Sequence, residues 1–224
     1  MLQYQNQLRQ PRTVESITDS DHSVPMSFYP RLFWNVFCGK YLDKSPKSLL
    51  EHTWKSYAGL TDIDMFMHIN NAQYLLLAEY ARWTWMTHSG LLAYLTKRGM
   101  NPVVTEVTCR YRRQLRLGVP FEIHSKMIHF TNREFYLVHT FNYKGGLAAR
   151  LLMKFQILKK NEVQDPIEIW TNIQPDIVLP KLDPSSEDYK AVYHFYALES
   201  YLLGKPIPDS LSVTPALTPS PQPK

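Results

Sequence analysis

The sequence predicts an α+β fold, in which one long apolar helix follows a single strand and precedes four antiparallel strands. Three observations carry this. Residues 72–89 hold no Gly or Pro and are rich in Leu, Ala, Tyr, Trp and Met, the composition of a helix enclosed by other structure. Residues 103–158 contain four segments of strand character divided by turn signals. Residues 52–57, ahead of the helix, read as one further strand. Strands gathered in a block, rather than alternating with helices, point to α+β.

Taken in order, residues 1–26 have little apolar content and read as a disordered tail. Arg9 and Arg12 fall in an acid-free opening, as in a mitochondrial presequence, but Glu15, Asp19 and Asp21 soon break that pattern. In the segment 27–46, residues 28–42 (FYPRLFWNVFCGKYL) put Phe33, Phe37 and Tyr41 on one helical face between Arg31 and Lys40. Such a helix lies at a membrane interface or packs across the domain, and the residues leave both readings open. The polar loop 62–71 then feeds the central helix, with Asn70 or Asn71 as its N-cap and Gly90 as its stop. Leu77, Ala81 and Trp85 form its main stripe, which Tyr80, Trp83 and Met86 broaden almost all round.

Residues 103–114 alternate, with Val103, Thr105, Val107, Cys109 and Tyr111 on one face. Residues 121–130 follow Pro120 and end at the Asn132-Arg133 turn. Residues 134–143 end at Lys144-Gly145-Gly146, and 147–158 complete the block, so the domain core is expected over 47–160. Residues 165–184 read as a Pro-containing connector within the stretch 161–204. Ser185 is the expected cap of a last helix, with Asp188 three positions on, a stripe of Tyr189, Val192, Tyr196 and Leu203, and Gly204 as terminator. From residue 205 to 224 six of twenty residues are Pro, the composition of a disordered tail.

The net charge of +5 suits anionic partners, whether phosphates, acidic proteins or a membrane surface. Cys38 and Cys109 have no motif around them, so neither a disulfide framework nor a zinc ribbon is expected. His124 and His129, an odd number apart, are expected on opposite faces of a strand and make no metal pair; no metal site is expected. No run of eighteen apolar residues suggests a spanning helix. Gly-rich phosphate loops and the nucleophile elbow are absent from the sequence.

Asp62, Asp64, His68, Asn70 and Asn71 crowd into ten residues just before the helix, and Tyr74, Glu79 and Arg82 follow. This D-x-D-x-x-x-H-x-N-N-x-x-Y pattern with E-x-x-R resembles the signature of hot-dog-fold thioesterases of the 4-hydroxybenzoyl-CoA type. It is similar to the plant acyl-carrier-protein enzymes and, from about Trp34 to Leu203, to the member-six-like thioesterase-superfamily proteins of animals. The animal proteins carry a hydrophobic anchor ahead of this region, and no such stretch precedes Phe28 here, so membrane contact is expected to be peripheral.

The resemblance implies a hot-dog fold: a curved antiparallel sheet wrapped around one long central helix, here with an added C-terminal helix. It implies hydrolysis of an acyl-CoA or acyl-carrier-protein thioester in lipid metabolism. The only cofactor moiety is the CoA or phosphopantetheine of the substrate, and no nucleic acid is expected. It also implies a homodimer with sites between subunits. An intracellular, cytoplasmic or membrane-associated location follows, with the mitochondrial reading still open.

Thioester hydrolysis needs an attacking group, a means of polarising the carbonyl and a proton for the departing thiolate. Asp64 matches the family's catalytic carboxylate and His68 the histidine of the plant enzymes. Gln114 stands where the plant enzymes have a carboxylate, and it can orient water but cannot accept a proton. Phe66 replaces a family Asn. Asn70, Asn71 and Tyr74 are expected to touch the acyl carbonyl and chain, Arg112 and Arg113 the phosphates, with Arg110 and Arg116 nearby. The apolar helix face is expected to line an acyl tunnel. The alternative is a non-catalytic acyl-binding module or structural subunit, in which Met65, Phe66 or Met67 would fill that tunnel.

Overall fold

The structure, a computed structural model, describes residues 48–204, 206–208 and 211. The aromatic segment 28–42 and the N-terminal tail lie outside the described residues, as does most of 205–224. Strand β1 (Glu51–Tyr57) leads through a 3-10 turn at Leu60–Asp62 to the central helix α1 (Gln73–His88) and a short helix α2 (Leu91–Lys97). Four strands follow: β2 (Met100–Tyr111), β3 (Pro120–Phe130), β4 (Phe135–Tyr143) and β5 (Gly146–Lys159). A short β6 (Glu162–Gln164), helix α3 (Pro166–Ile173) and helix α4 (Glu187–Leu203) complete the chain.

The sheet runs β1-β3-β4-β5-β2, antiparallel throughout, with β6 beside β5. Helix α1 lies across its inner face. Tyr74, Leu77, Tyr80 and Ala81 pack with Trp54 of β1, Ile123 of β3, Phe141 of β4 and Leu151 of β5. One helix can touch that many strands only if the sheet curls round it, which is the hot-dog arrangement the sequence led us to expect. Ala78 and Ala81 on the helix and Ala148 and Ala149 on β5 are all fully buried, and their small size lets helix and sheet close on each other without a void. On the outer face α4 sets Tyr189, Val192 and Phe195 against Ile128, Tyr136, Val138 and Leu152. No helix among the described residues is long and apolar enough to cross a membrane.

Several boundaries differ from expectation for local reasons. Helix α1 starts at Ala72 rather than at an Asn cap, because Asn70 turns its Oδ1 onto the Ala72 N–H at 2.9 Å in an Asx turn. Gly90, at φ +80°, ends α1 as expected but also opens α2. Within 165–184, Asp165 caps α3 by accepting from the Ile167 N–H at 2.8 Å, and α3 buries Trp170 completely. The cap of α4 is Ser186, which accepts from the Tyr189 N–H at 3.0 Å, and Leu203 is exposed. Strand β2 ends at Tyr111, three residues short of Gln114. A register shift between Met127 and His129 breaks the alternation in β3, so His124 and His129 do not follow the opposite-face rule. A second shift, between Val104 and Glu106, does the same in β2.

The inner face also encloses a polar pair, Ser125 Oγ and His139 Nδ1 at 2.8 Å. Burial, and secondarily the nearby Arg82 charge, hold His139 down at about 3; burial alone lowers His129 to about 4. Both imidazoles fold neutral, whereas the unfolded chain takes up their protons near pH 6.5. Stability is therefore expected to fall as pH drops from about 6.5 toward 4, the fully buried His139 adding up to about 1.4 kcal/mol per pH unit and the half-buried His129 less. Denaturant unfolding across that range tests this. The His139→Gln variant should lose about one proton's worth of the slope, and an unchanged slope would refute the assignment.

Candidate active site

The site is assembled by pairing a tight loop with the end of a distant strand. Between Ile63 and Ile69, which form a bridge, the chain reverses: the Asp64 N–H donates to the His68 carbonyl at 2.9 Å and the Met67 N–H to the Asp64 carbonyl at 3.0 Å. Met67 takes up the reversal with a left-handed φ of 61°. The outgoing limb then pairs with the segment after β2. His68 bridges Arg116, and the Ile69 N–H donates to the Leu115 carbonyl at 2.8 Å. Leu115 is fully buried beneath this junction. The pairing carries Arg112, Arg113 and Gln114 to the same place as Asp64 and His68.

The two aspartates divide their work. Asp62 is buried and accepts from the Gly59 N–H at 2.8 Å, holding the preceding turn. Asp64 lines an open cleft of about 510 Å³ together with His68, Asn71, Tyr74, Gln114 and the paired arginines 112 and 113. Its Oδ1 accepts from the Phe66 N–H at 2.8 Å, which fixes the carboxylate at the cleft. Of the expected site residues only Asn70 stays out of the cleft, committed to the helix start through Ala72 and through its carbonyl, which accepts from the Gln73 N–H at 2.9 Å. The Ala72 and Gln73 amides are thus already used, which narrows the helix terminus as an oxyanion site and leaves side-chain amides as the natural donors.

Tyr111 was not expected here, although the alternation of β2 had placed it on the Cys109 face. Its hydroxyl donates to the Asn71 carbonyl at 2.9 Å and its ring meets Tyr74 edge-on at 5.1 Å, tying the strand end to the helix start. Burial pushes the Tyr74 hydroxyl up to about 12, with Cys109 adding to it. Tyr111 is raised as well, by burial first and then by its hydrogen bond and charge interaction with Cys109 and by Tyr74. Burial raises the Cys109 thiol, partly offset by a hydrogen bond with Tyr111. All three groups stay protonated at neutral pH, so neither a thiolate nor a phenolate is on offer, and among the described residues Asp64 is the one carboxylate lining the cleft.

Met65, Phe66 and Met67 are 86%, 70% and 51% exposed, so they plug nothing; of the three, Phe66 lines the cleft. The expected tunnel along the helix is not formed within one chain: Leu77, Ala78 and Ala81 have no exposed surface and are core. Glu79 and Arg82 are structural. Arg82 is buried over the Phe155 ring at 5.1 Å, with Glu79 at 3.6 Å. Among the described residues no group of His, Cys, Asp or Glu is arranged to hold a metal ion.

The profile of the Thioesterase-like superfamily matches residues 58–199, a span that contains the whole cleft. Protein THEM6 of Xenopus laevis is 36% identical over 109 residues, covering 48% of this chain and 53% of that protein. The chain spans about half the length of the vertebrate relatives it matches. The long-chain acyl-CoA thioesterase FadM of Escherichia coli is 30% identical over 95 residues, 42% of this chain and 72% of that enzyme. Among solved structures, a 1,4-dihydroxy-2-naphthoyl-CoA thioesterase from Synechocystis aligns with a TM-score of 0.50 at 14% identity, covering 57% of this chain and 97% of that one, a likeness of fold. The chain belongs to the thioesterase-like superfamily.

Proposed function

We propose that the protein hydrolyses an acyl-CoA thioester, with a long-chain acyl group as first candidate, and that Asp64 activates the attack. The observation that carries this is the convergence of Asp64, His68 and Gln114 on one open cleft with Arg112 and Arg113 at its rim. Asp64 acts as general base on a water, or as nucleophile. The Gln114 amide orients that water, the Asn71 side chain donates to the carbonyl, and His68 supplies a proton to the leaving thiolate. The arginines match the phosphates of CoA. The relationship to FadM supports a long-chain acyl-CoA as substrate. Thiol release from an acyl-CoA series, short to long, by the purified protein tests the reading. Turnover that rises with chain length supports it, and no turnover on any member overturns it. Gln114 in place of a carboxylate favours the second reading, a module that binds acyl-CoA without cleaving it.

The active species is proposed to be a homodimer joined through β2. Among the described residues that strand is one of the two edges of the sheet, and Val103, Val104, Val107 and Tyr111 along it are 37–41% exposed. An edge of that length invites pairing with another strand, and the two-fold mate would complete the wall missing from the cleft. Sedimentation should give twice the chain mass. Val107→Glu should shift the species to monomer and lower turnover in proportion; a monomeric wild type with full activity would overturn the arrangement.

A further inference from the structure

A second cleft, of about 690 Å³, lies on the other side of the sheet between α4 and strands β2, β4 and β5. Its size falls within the ~300–1,000 Å³ typical of small-molecule sites. The floor is apolar, made by Val138, Leu152, Phe195 and Leu198. The walls carry basic side chains: Arg110 and Arg112, the latter shared with the first cleft, stand on one side, Arg150 beside them, and Lys190 and His194 on α4. The one carboxylate in the lining, Glu187, is held by Lys190 at 2.9 Å, and Arg150 is 3.5 Å from Asp188. Among the described residues no carboxylate pairs with Arg110 or Arg112.

The register sharpens the point, because Arg110 and Arg150 face each other directly across β2 and β5. Like charges in that relation cost stability unless something negative lies over them; Asp188 answers Arg150, which leaves Arg110 as the charge still to be met. Of the chain's own flanking segments, 1–26 holds Glu15, Asp19 and Asp21 against Arg9 and Arg12, while the two others are net cationic. Residues 27–46 carry Arg31, Lys40 and Lys44 against Asp43, and residues 205–224 carry Lys205 and Lys224 against Asp209. An inorganic anion would satisfy the arginines but leave the apolar floor unused.

We propose that this outer cleft binds an anionic amphiphile, a long acyl chain ending in a carboxylate or phosphate. The head lies over the Arg110–Arg150 pair and the chain runs along Val138, Leu152 and Phe195. Binding here does not depend on hydrolysis in the inner cleft, and the test keeps the two apart.

The full-length protein is titrated with palmitate and with hexadecyl phosphate, below their aggregation concentrations, by calorimetry. Hexadecyltrimethylammonium and inorganic phosphate serve as controls. Saturable binding of palmitate or hexadecyl phosphate is expected, and whichever binds more tightly identifies the head. Arg110→Gln should weaken it about tenfold, and Arg110→Gln with Arg150→Gln further still, while Asp64→Asn leaves it unchanged. The single variant keeps the Arg150 contact with α4, so its loss of affinity cannot be ascribed to a loosened helix. Equal binding of the cationic amphiphile, equal binding of phosphate alone, no binding, or indifference to Arg110→Gln would each overturn the proposal. Loss on Asp64→Asn would do so too, by locating the ligand in the inner cleft.

Discussion

Asp64→Asn is expected to lower kcat/KM for acyl-CoA by about 10³-fold while leaving the fold and KM nearly unchanged. Asparagine keeps the size of the side chain, and its Oδ1 can still accept the Phe66 N–H that closes the loop at 2.8 Å. It cannot take a proton from water or form an acyl adduct. Removing a general base typically costs 10²–10⁴ in rate, or about 3–5 kcal/mol of barrier. The effect should be larger than that of His68→Ala, because a CoA thiolate leaves readily and gains less from a proton donor. Gln114→Glu is an informative companion, since it restores the acid or base of the plant pattern and should raise turnover if Gln114 faces the water. Steady-state kinetics with a thiol reporter, together with thermal melts, measure all three. A drop of less than threefold in Asp64→Asn, with wild-type melting, would remove Asp64 from the chemistry and leave acyl binding as the function of the cleft.

The contiguous half of this cleft was legible in the sequence because one loop holds it: Asp64, His68 and Asn71 lie within eight residues of each other, and the helix they lead into announces itself by composition. The other half was named only through the family resemblance. Arg112, Arg113 and Gln114 come in through the pairing of His68 and Ile69 with Arg116 and Leu115, a junction of two irregular segments that no periodicity encodes. The strands were readable from alternation and from the turn at Lys144-Gly145, where both residues take positive φ. Helix α2, seven residues long after Gly90, was too short to show a helical period, and α3 was hidden by the Pro that in fact starts it. The acyl tunnel failed for a packing reason. The same small residues that make the central helix look adaptable, Ala78 and Ala81, are buried in one core with Ala148 and Ala149 and leave no exposed helix face to line a tunnel.

Lys154→Met is expected to cost about 3–5 kcal/mol, the cost typical of breaking a buried ion pair by removing one partner. The Lys154 side chain is 3% exposed, and its ammonium lies 2.7 Å from Glu199 on α4, 3.2 Å from Glu106 on β2 and 3.9 Å from Glu134 before β4. Burial on its own would lower the lysine pKa, but the bonds and charges of Glu199, Glu134 and Glu106 outweigh it, and the group is held above its ordinary value. Tyr136 and Tyr196 also donate to Glu134, at 3.3 and 3.5 Å, so the cluster joins the outer helix to three strands. Without the ammonium, three carboxylates remain together with little water around them. Their pKa values must then rise above those of the unfolded chain, which makes the variant's deficit largest at pH 7 and smaller near pH 5. That trend opposes the acid sensitivity set by His139, so the difference between wild-type and variant unfolding free energies at the two pH values isolates it. Adding Glu199→Gln to Lys154→Met should recover part of the loss. A deficit below about 1 kcal/mol at pH 7, or one that grows toward pH 5, would show that the lysine is not what holds α4 to the sheet.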